Sequence, residues 1–214
     1  MDLNRTSFIY FGALIVAVIL HEISHGVVAL FFGDDTAKRA GRLTLNPVPH
    51  VDPFGSIVLP ALGALTGIPV IAWAKPVPVN PMQLRNSRRD MLFVSLAGPA
   101  TNFVLAAMAA LFARAMYQNH GETEIFIAEL PLIVLVPLLF AVVNLFLGLF
   151  NFLPIPPLDG ASLIERVLPE RALAGWYRFR PYGILVLFLL VFMTDFTSRI
   201  FDPLLLDLYR FVLT

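Results

Sequence analysis

Four stretches of this chain are long, apolar and nearly free of charge. Residues 6–33 carry His21, Glu22 and His25 but no other histidine or charged side chain. Residues 91–113 and 131–150 carry no charge, and the shorter uncharged run 181–194 becomes long enough when residues 176–180 join it. A membrane-spanning helix needs about twenty mostly apolar residues. The pattern therefore predicts spans at 6–33, 91–113, 131–150 and 176–194. Residues 53–74 are also uncharged, yet Pro53, Pro60 and Pro69 alternate there with Gly55, Gly63 and Gly67. Proline removes a helical donor and clashes with the preceding turn, so this segment reads as a broken, re-entrant hairpin or else as an additional span. Residues 196–214 mix Arg199, Asp202, Asp207 and Arg210 with leucines and predict an interfacial or packed helix. The fold class expected is an all-α polytopic membrane protein with four to six spans and short extended segments near a site. Residues 1–214 read as one domain, without internal repeat or flexible linker.

Charge placement orients these elements, because Lys and Arg concentrate on the cytoplasmic side. Lys75, Arg85, Arg88 and Arg89 precede the 91–113 run, Glu122, Glu124 and Glu129 follow it, and Arg166, Arg171, Arg178 and Arg180 lie after 131–150. The run at 91 then starts inside and the run at 131 returns there. Lys38, Arg39 and Arg42 favour the same side for the end of the first helix, which makes 53–74 a hairpin entering and leaving on one face. The first apolar run lacks a small-x-small cleavage site and reads as a retained anchor.

Composition agrees with a bilayer environment. The chain is 58% hydrophobic and 14% charged, against about a quarter charged in ordinary globular domains, and its mean hydropathy is +0.79. The formal net charge of zero gives no reason to expect nucleic acid as a partner. The absence of cysteine excludes disulfides, thiolate zinc ligands and cysteine nucleophiles.

The chemistry begins inside the first apolar run. Residues i and i+4 share a helix face, so His21 and His25 point the same way, and HEISH fits H-E-x-x-H: two zinc ligands with Glu22 as general base. Packed histidines beside a snorkelling glutamate are the bland alternative. An ionisable group inside a membrane helix is costly, however, and marks a functional site by default. A catalytic zinc site takes three protein ligands, and the third is sought where NFLPIPPLDGA (151–161) breaks the helix begun at 131. Asp159 is available there, although Asp is also a favoured helix N-cap and GASLIERV follows it. Glu165 is the rival third ligand. His50 and Asp52 suggest either a second metal or ordinary loop polarity.

HEISH in a membrane helix, AGPATN at 97–102 and NFLPIPPLDG, in that order, resemble the site-2 protease family of intramembrane zinc metalloproteases. GRLTLNPVPHVDPFG and AWAKPVPVNP are similar to its small bacterial and archaeal members. The resemblance implies one zinc ion per chain held by His21, His25 and Asp159, with Glu22 activating water to cut a peptide bond in a transmembrane protein substrate. It implies that Asn151 holds substrate or stabilises the oxyanion and that Asn102 lies beside the site, where interhelical hydrogen bonding is an equal explanation. A prokaryotic cell membrane, with the site towards the cytoplasm, follows from the resemblance and the charge bias together. The family's PDZ and CBS modules are not expected within these residues. The readings that compete are a catalytically silent scaffold for membrane partners, a transporter, and a different membrane zincin cutting soluble peptides.

Overall fold

The computed structural model describes residues 3–58, 62, 65, 74–120 and 127–214. Among these it contains helices, turns and irregular segments but no strand. The main helices are α1 (Leu3–Phe31), α2 (Thr36–Arg39), α3 (Ser87–His120), α4 (Leu132–Phe152), α5 (Ala161–Val167), α6 (Glu170–Phe179), α7 (Gly183–Met193) and α8 (Phe196–Leu213). Among the described residues, four helical stretches are long and apolar enough to cross a membrane: Arg5–Phe31, Ser87–Asn119, Leu132–Phe152 and Glu170–Met193. The chain is a polytopic, all-helical membrane protein. Most of 53–74 lies outside the described residues, as do residues 121–126. At the start of that segment Pro53–Val58 is described, and it forms one π-helical turn.

The bundle is built on α1, α3 and α4, which pack side by side. Its apolar core gathers at one end, where Ala110 and Ala113 of α3, Leu135, Leu138 and Leu139 of α4, and Val212 of α8 are buried together. Phe201 and Val212 are the buried residues of α8, and their eleven-residue spacing returns to one face at a 3.6-residue period. Helix α8 packs along α3 and α4.

At the opposite end a smaller apolar cluster of Ala29, Leu84 and Val94 is joined by polar contacts. Helix α1 stops where Gly33 takes the left-handed φ of 107°, the conformation that commonly ends a helix, and Asp34 N–H closes on Ala29 O at 2.9 Å. Fully buried Asp34 accepts from Thr36 N–H and Asn80 N–H at 2.9 and 2.6 Å. This pulls the irregular segment 74–80 against the end of α1. Burial raises the Asp34 pKa, but the Thr36 side chain, those two N–H groups and nearby Arg39 more than offset it and leave the carboxyl below its ordinary range. Helix α3 starts with a reciprocal cap, Asn86 Oδ1 accepting from Arg89 N–H and Asp90 Oδ2 from Asn86 N–H.

Candidate metal centre

Helix α1 supplies two imidazoles one turn apart. His21 and His25 are both buried, at 7% and 8% exposure, and their rings stand edge-on with centroids 4.7 Å apart. Helix α3 forms the bed beneath them. A Cβ on Gly98 would lie 2.6 Å from Nε2 of both histidines, so no larger residue fits without moving the rings. The small residue between Ala97 and Pro99 is thus a condition of the close approach of α1 and α3.

The third group arrives from the end of α4. After Phe152 the prolines at 154, 156 and 157 prevent helical continuation, and the chain folds back until Gly160 N–H reaches Asn151 O at 2.7 Å. A Cβ on Gly160 would collide with the backbone carbonyls of Phe152 and Leu153, which explains the glycine. This tight return delivers Asp159 to the histidines. Its Oδ2 lies 3.1 Å from His21 Nε2 and 3.4 Å from His25 Nε2, and the two Nε2 atoms are 3.1 Å apart. Helix α5 takes Gly160 as its N-cap, with no side-chain hydrogen bond there. The capping alternative for Asp159 is therefore set aside: only its backbone carbonyl meets Ser162 N–H.

The protons on these rings follow from their outer partners. Asn144 Nδ2 donates to the Phe140 carbonyl at 2.8 Å, and a backbone carbonyl can only accept. Asn144 must therefore present Oδ1 to Asn102 Nδ2, 2.8 Å away, and Asn102 must present Oδ1 to His21 Nδ1 at 2.6 Å. His21 then carries its proton on Nδ1. His25 Nδ1 lies 2.7 Å from the Val94 carbonyl, so it too is the protonated nitrogen. Both Nε2 lone pairs turn towards Asp159 Oδ2, which is buried without a hydrogen-bond donor in good geometry. Three acceptors converging in this way repel one another unless a cation or an added proton lies among them.

The donor set suits zinc. Neutral imidazole nitrogens and a carboxylate oxygen bind Zn2+ at about 2.0–2.2 Å, so tetrahedral donors sit about 3.3 Å from one another; the three separations match that spacing. Among the described residues, His21, His25 and Asp159 are the group of three with potential ligand atoms this close.

Glu22 stands beside the cluster. Its Oε2 accepts from Val77 N–H at 2.7 Å, which ties the carboxylate to segment 74–80. Asn102 is fully buried and spends its amide on His21 and Asn144, so the interhelical explanation describes it. Asn151 Nδ2 donates to Leu147 O, 3.1 Å away in its own helix. Glu165 Oε1 accepts from Trp176 Nε1 at 3.0 Å and lies 3.4 Å from Arg180, and Asp159 rather than Glu165 groups with the two histidines. His50 is buried with Nε2 3.0 Å from Thr44 O, and Asp52 Oδ1 accepts from Phe54 and Gly55 N–H. Among the described residues these are loop-forming contacts, and neither side chain belongs to a group of three potential ligands.

Sequence reading missed Asn144 and the Val77 N–H. Asn144 carried a signal, since a lone amide in an otherwise apolar span needs a partner. A backbone N–H carries none.

Comparison with known proteins places this architecture among named relatives. The chain is 39% identical over 201 residues to "Putative zinc metalloprotease YwhC" of Bacillus subtilis, covering 90% of this chain and 83% of the relative. It is 34% identical over 202 residues to "Putative zinc metalloprotease Rip2" of Mycolicibacterium smegmatis, covering 92% and 71%. The Rip2 protein of Mycobacterium tuberculosis is 34% identical over 183 residues, 82% of this chain and 64% of that protein. No family model matches, and no solved structure matches.

Proposed function

This chain belongs to the site-2 protease family, and from that premise we propose that it is an intramembrane zinc metallopeptidase, cutting a peptide bond within or near a transmembrane segment of another membrane protein. The observation that carries the reading is the meeting of His21 Nε2, His25 Nε2 and Asp159 Oδ2 within 3.4 Å. Zn2+ bound there supplies a Lewis acid that lowers the pKa of water to near 7 and polarises a carbonyl oxygen.

The chain's own residues do the rest. Asn102 and the Val94 carbonyl hold the two imidazoles in the tautomer that offers Nε2, the arrangement by which outer hydrogen bonds tune a metal site. Gly98 gives the rings room. Glu22 acts as general base: Val77 N–H occupies Oε2 and Oε1 takes the proton of the attacking water, then returns it to the departing amine. The water oxygen bonds to the carbonyl carbon while the C=O π pair moves onto oxygen, and collapse of this tetrahedral oxyanion breaks the C–N bond as the amine takes the proton. Asn151 can stabilise the oxyanion or hold substrate by exchanging the Leu147 carbonyl for a substrate group, and its half-buried position at the end of α4 leaves it reachable.

The charge bias of the loops supports a site opening towards the cytoplasm. The test is metal content: Asp159→Ala should abolish stoichiometric zinc binding by the purified protein, whereas Glu165→Ala should leave it intact. The reverse result would move the third ligand to Glu165.

A further inference from the structure

Helix α5 is seven residues long and hangs from Asp159 at its start. Its far end is fastened by one side chain of α3. Arg88 Nη2 donates to the carbonyls of Glu165 at 2.9 Å and Arg166 at 3.3 Å, and also meets the Leu168 carbonyl. Nε adds a second contact to Glu165 O at 3.3 Å. These are among the last carbonyls of a helix, which lack intrahelical donors and favour a cation.

An open pocket of about 280 Å³ is lined by Ser87, Arg88, Met91 and Leu92 of α3, by Ser162 and Glu165 of α5 and by Leu173 and Tyr177 of α6. Helices α3 and α5 are in contact, and the Arg88 guanidinium ties them at the edge of this opening. The same helix α3 carries Val94, Gly98 and Asn102, which fix His25 and His21. One rigid element thus sets the histidines directly and sets Asp159 through α5.

We propose that Arg88 is a positioning residue for the metal centre: by clamping the end of α5 to α3 it holds Asp159 at the distance from His21 and His25 that a single ion requires. This rests on the zinc reading above and adds to it a residue that touches neither metal nor substrate. Lysine in its place keeps the charge but offers a point donor instead of a fork, so it should restore part of the effect.

The experiment titrates zinc into purified, metal-stripped wild-type, Arg88→Met, Arg88→Lys and Asp159→Ala proteins, and records the visible spectrum of each after cobalt substitution. The expected order of zinc affinity is wild type, then Arg88→Lys, then Arg88→Met, the last weakened about 10- to 100-fold as for other outer partners of metal ligands, with an altered cobalt spectrum. If Arg88→Met binds zinc and cobalt as wild type does while Asp159→Ala does not, the clamp is wrong and the zinc site stands, even where the variant melts at a lower temperature. If Asp159→Ala binds zinc as tightly as wild type, the zinc reading itself fails and the clamp falls with it.

Discussion

Gly98 lies so close under His21 that a Cβ there would come within 2.6 Å of Nε2. Helix backbones approach this closely in membranes only through small residues. Gly98→Ala should therefore push the imidazole off its position and cost about 10- to 100-fold in zinc affinity. Calorimetric titration of metal-stripped protein measures this, and helicity by circular dichroism should stay unchanged.

Asn144 touches none of the proposed ligands, yet it fixes the direction of every hydrogen bond from Phe140 to His21. Asn144→Leu leaves Asn102 free to rotate its amide, so His21 loses the fixed acceptor on Nδ1. Zinc affinity should fall about 10-fold or more. Nitrogen-15 NMR of the histidine side chains should show wild-type His21 protonated on Nδ1 and the variant mixed.

Asp34 makes part of the fold sensitive to acid. Its folded pKa lies below the ordinary value, so its stabilisation is fully present above that ordinary value. It is lost as the pH falls through the lower folded value. Asp34→Asn should lower stability at neutral pH and flatten the acid side of the stability profile. Thermal unfolding in detergent across the acid range is the measurement.

Gly160 is confined by the carbonyls of Phe152 and Leu153. Gly160→Ala should open the turn that brings Asp159 back to α1 and abolish zinc binding, while α1, α3 and α4 remain assembled. Metal analysis alongside size-exclusion chromatography separates the two effects.

The parts legible in the sequence were those with a periodic or compositional signature. Uncharged runs marked the apolar helices because lipid admits few charges, and the four-residue spacing of His21 and His25 put them on one face before any packing was known. Asp159 could be named because the prolines before it forbid a helix. What escaped depended on register between helices distant in sequence. The pairing of Asn102 with Asn144 needs α3 and α4 at one relative height, and the hold of Val77 on Glu22 uses a backbone group that any residue but proline provides. Arg88 read only as part of a positive cytoplasmic cluster, since its carbonyl partners have no side-chain identity.

The most direct test of the central claim compares purified wild type with Glu22→Gln on a fluorescently labelled single-span substrate in lipid vesicles, with zinc measured in both. The account predicts that Glu22→Gln keeps one zinc per chain and loses cleavage by at least about 100-fold, as expected for removal of a general base. A variant that retained wild-type cleavage would contradict it.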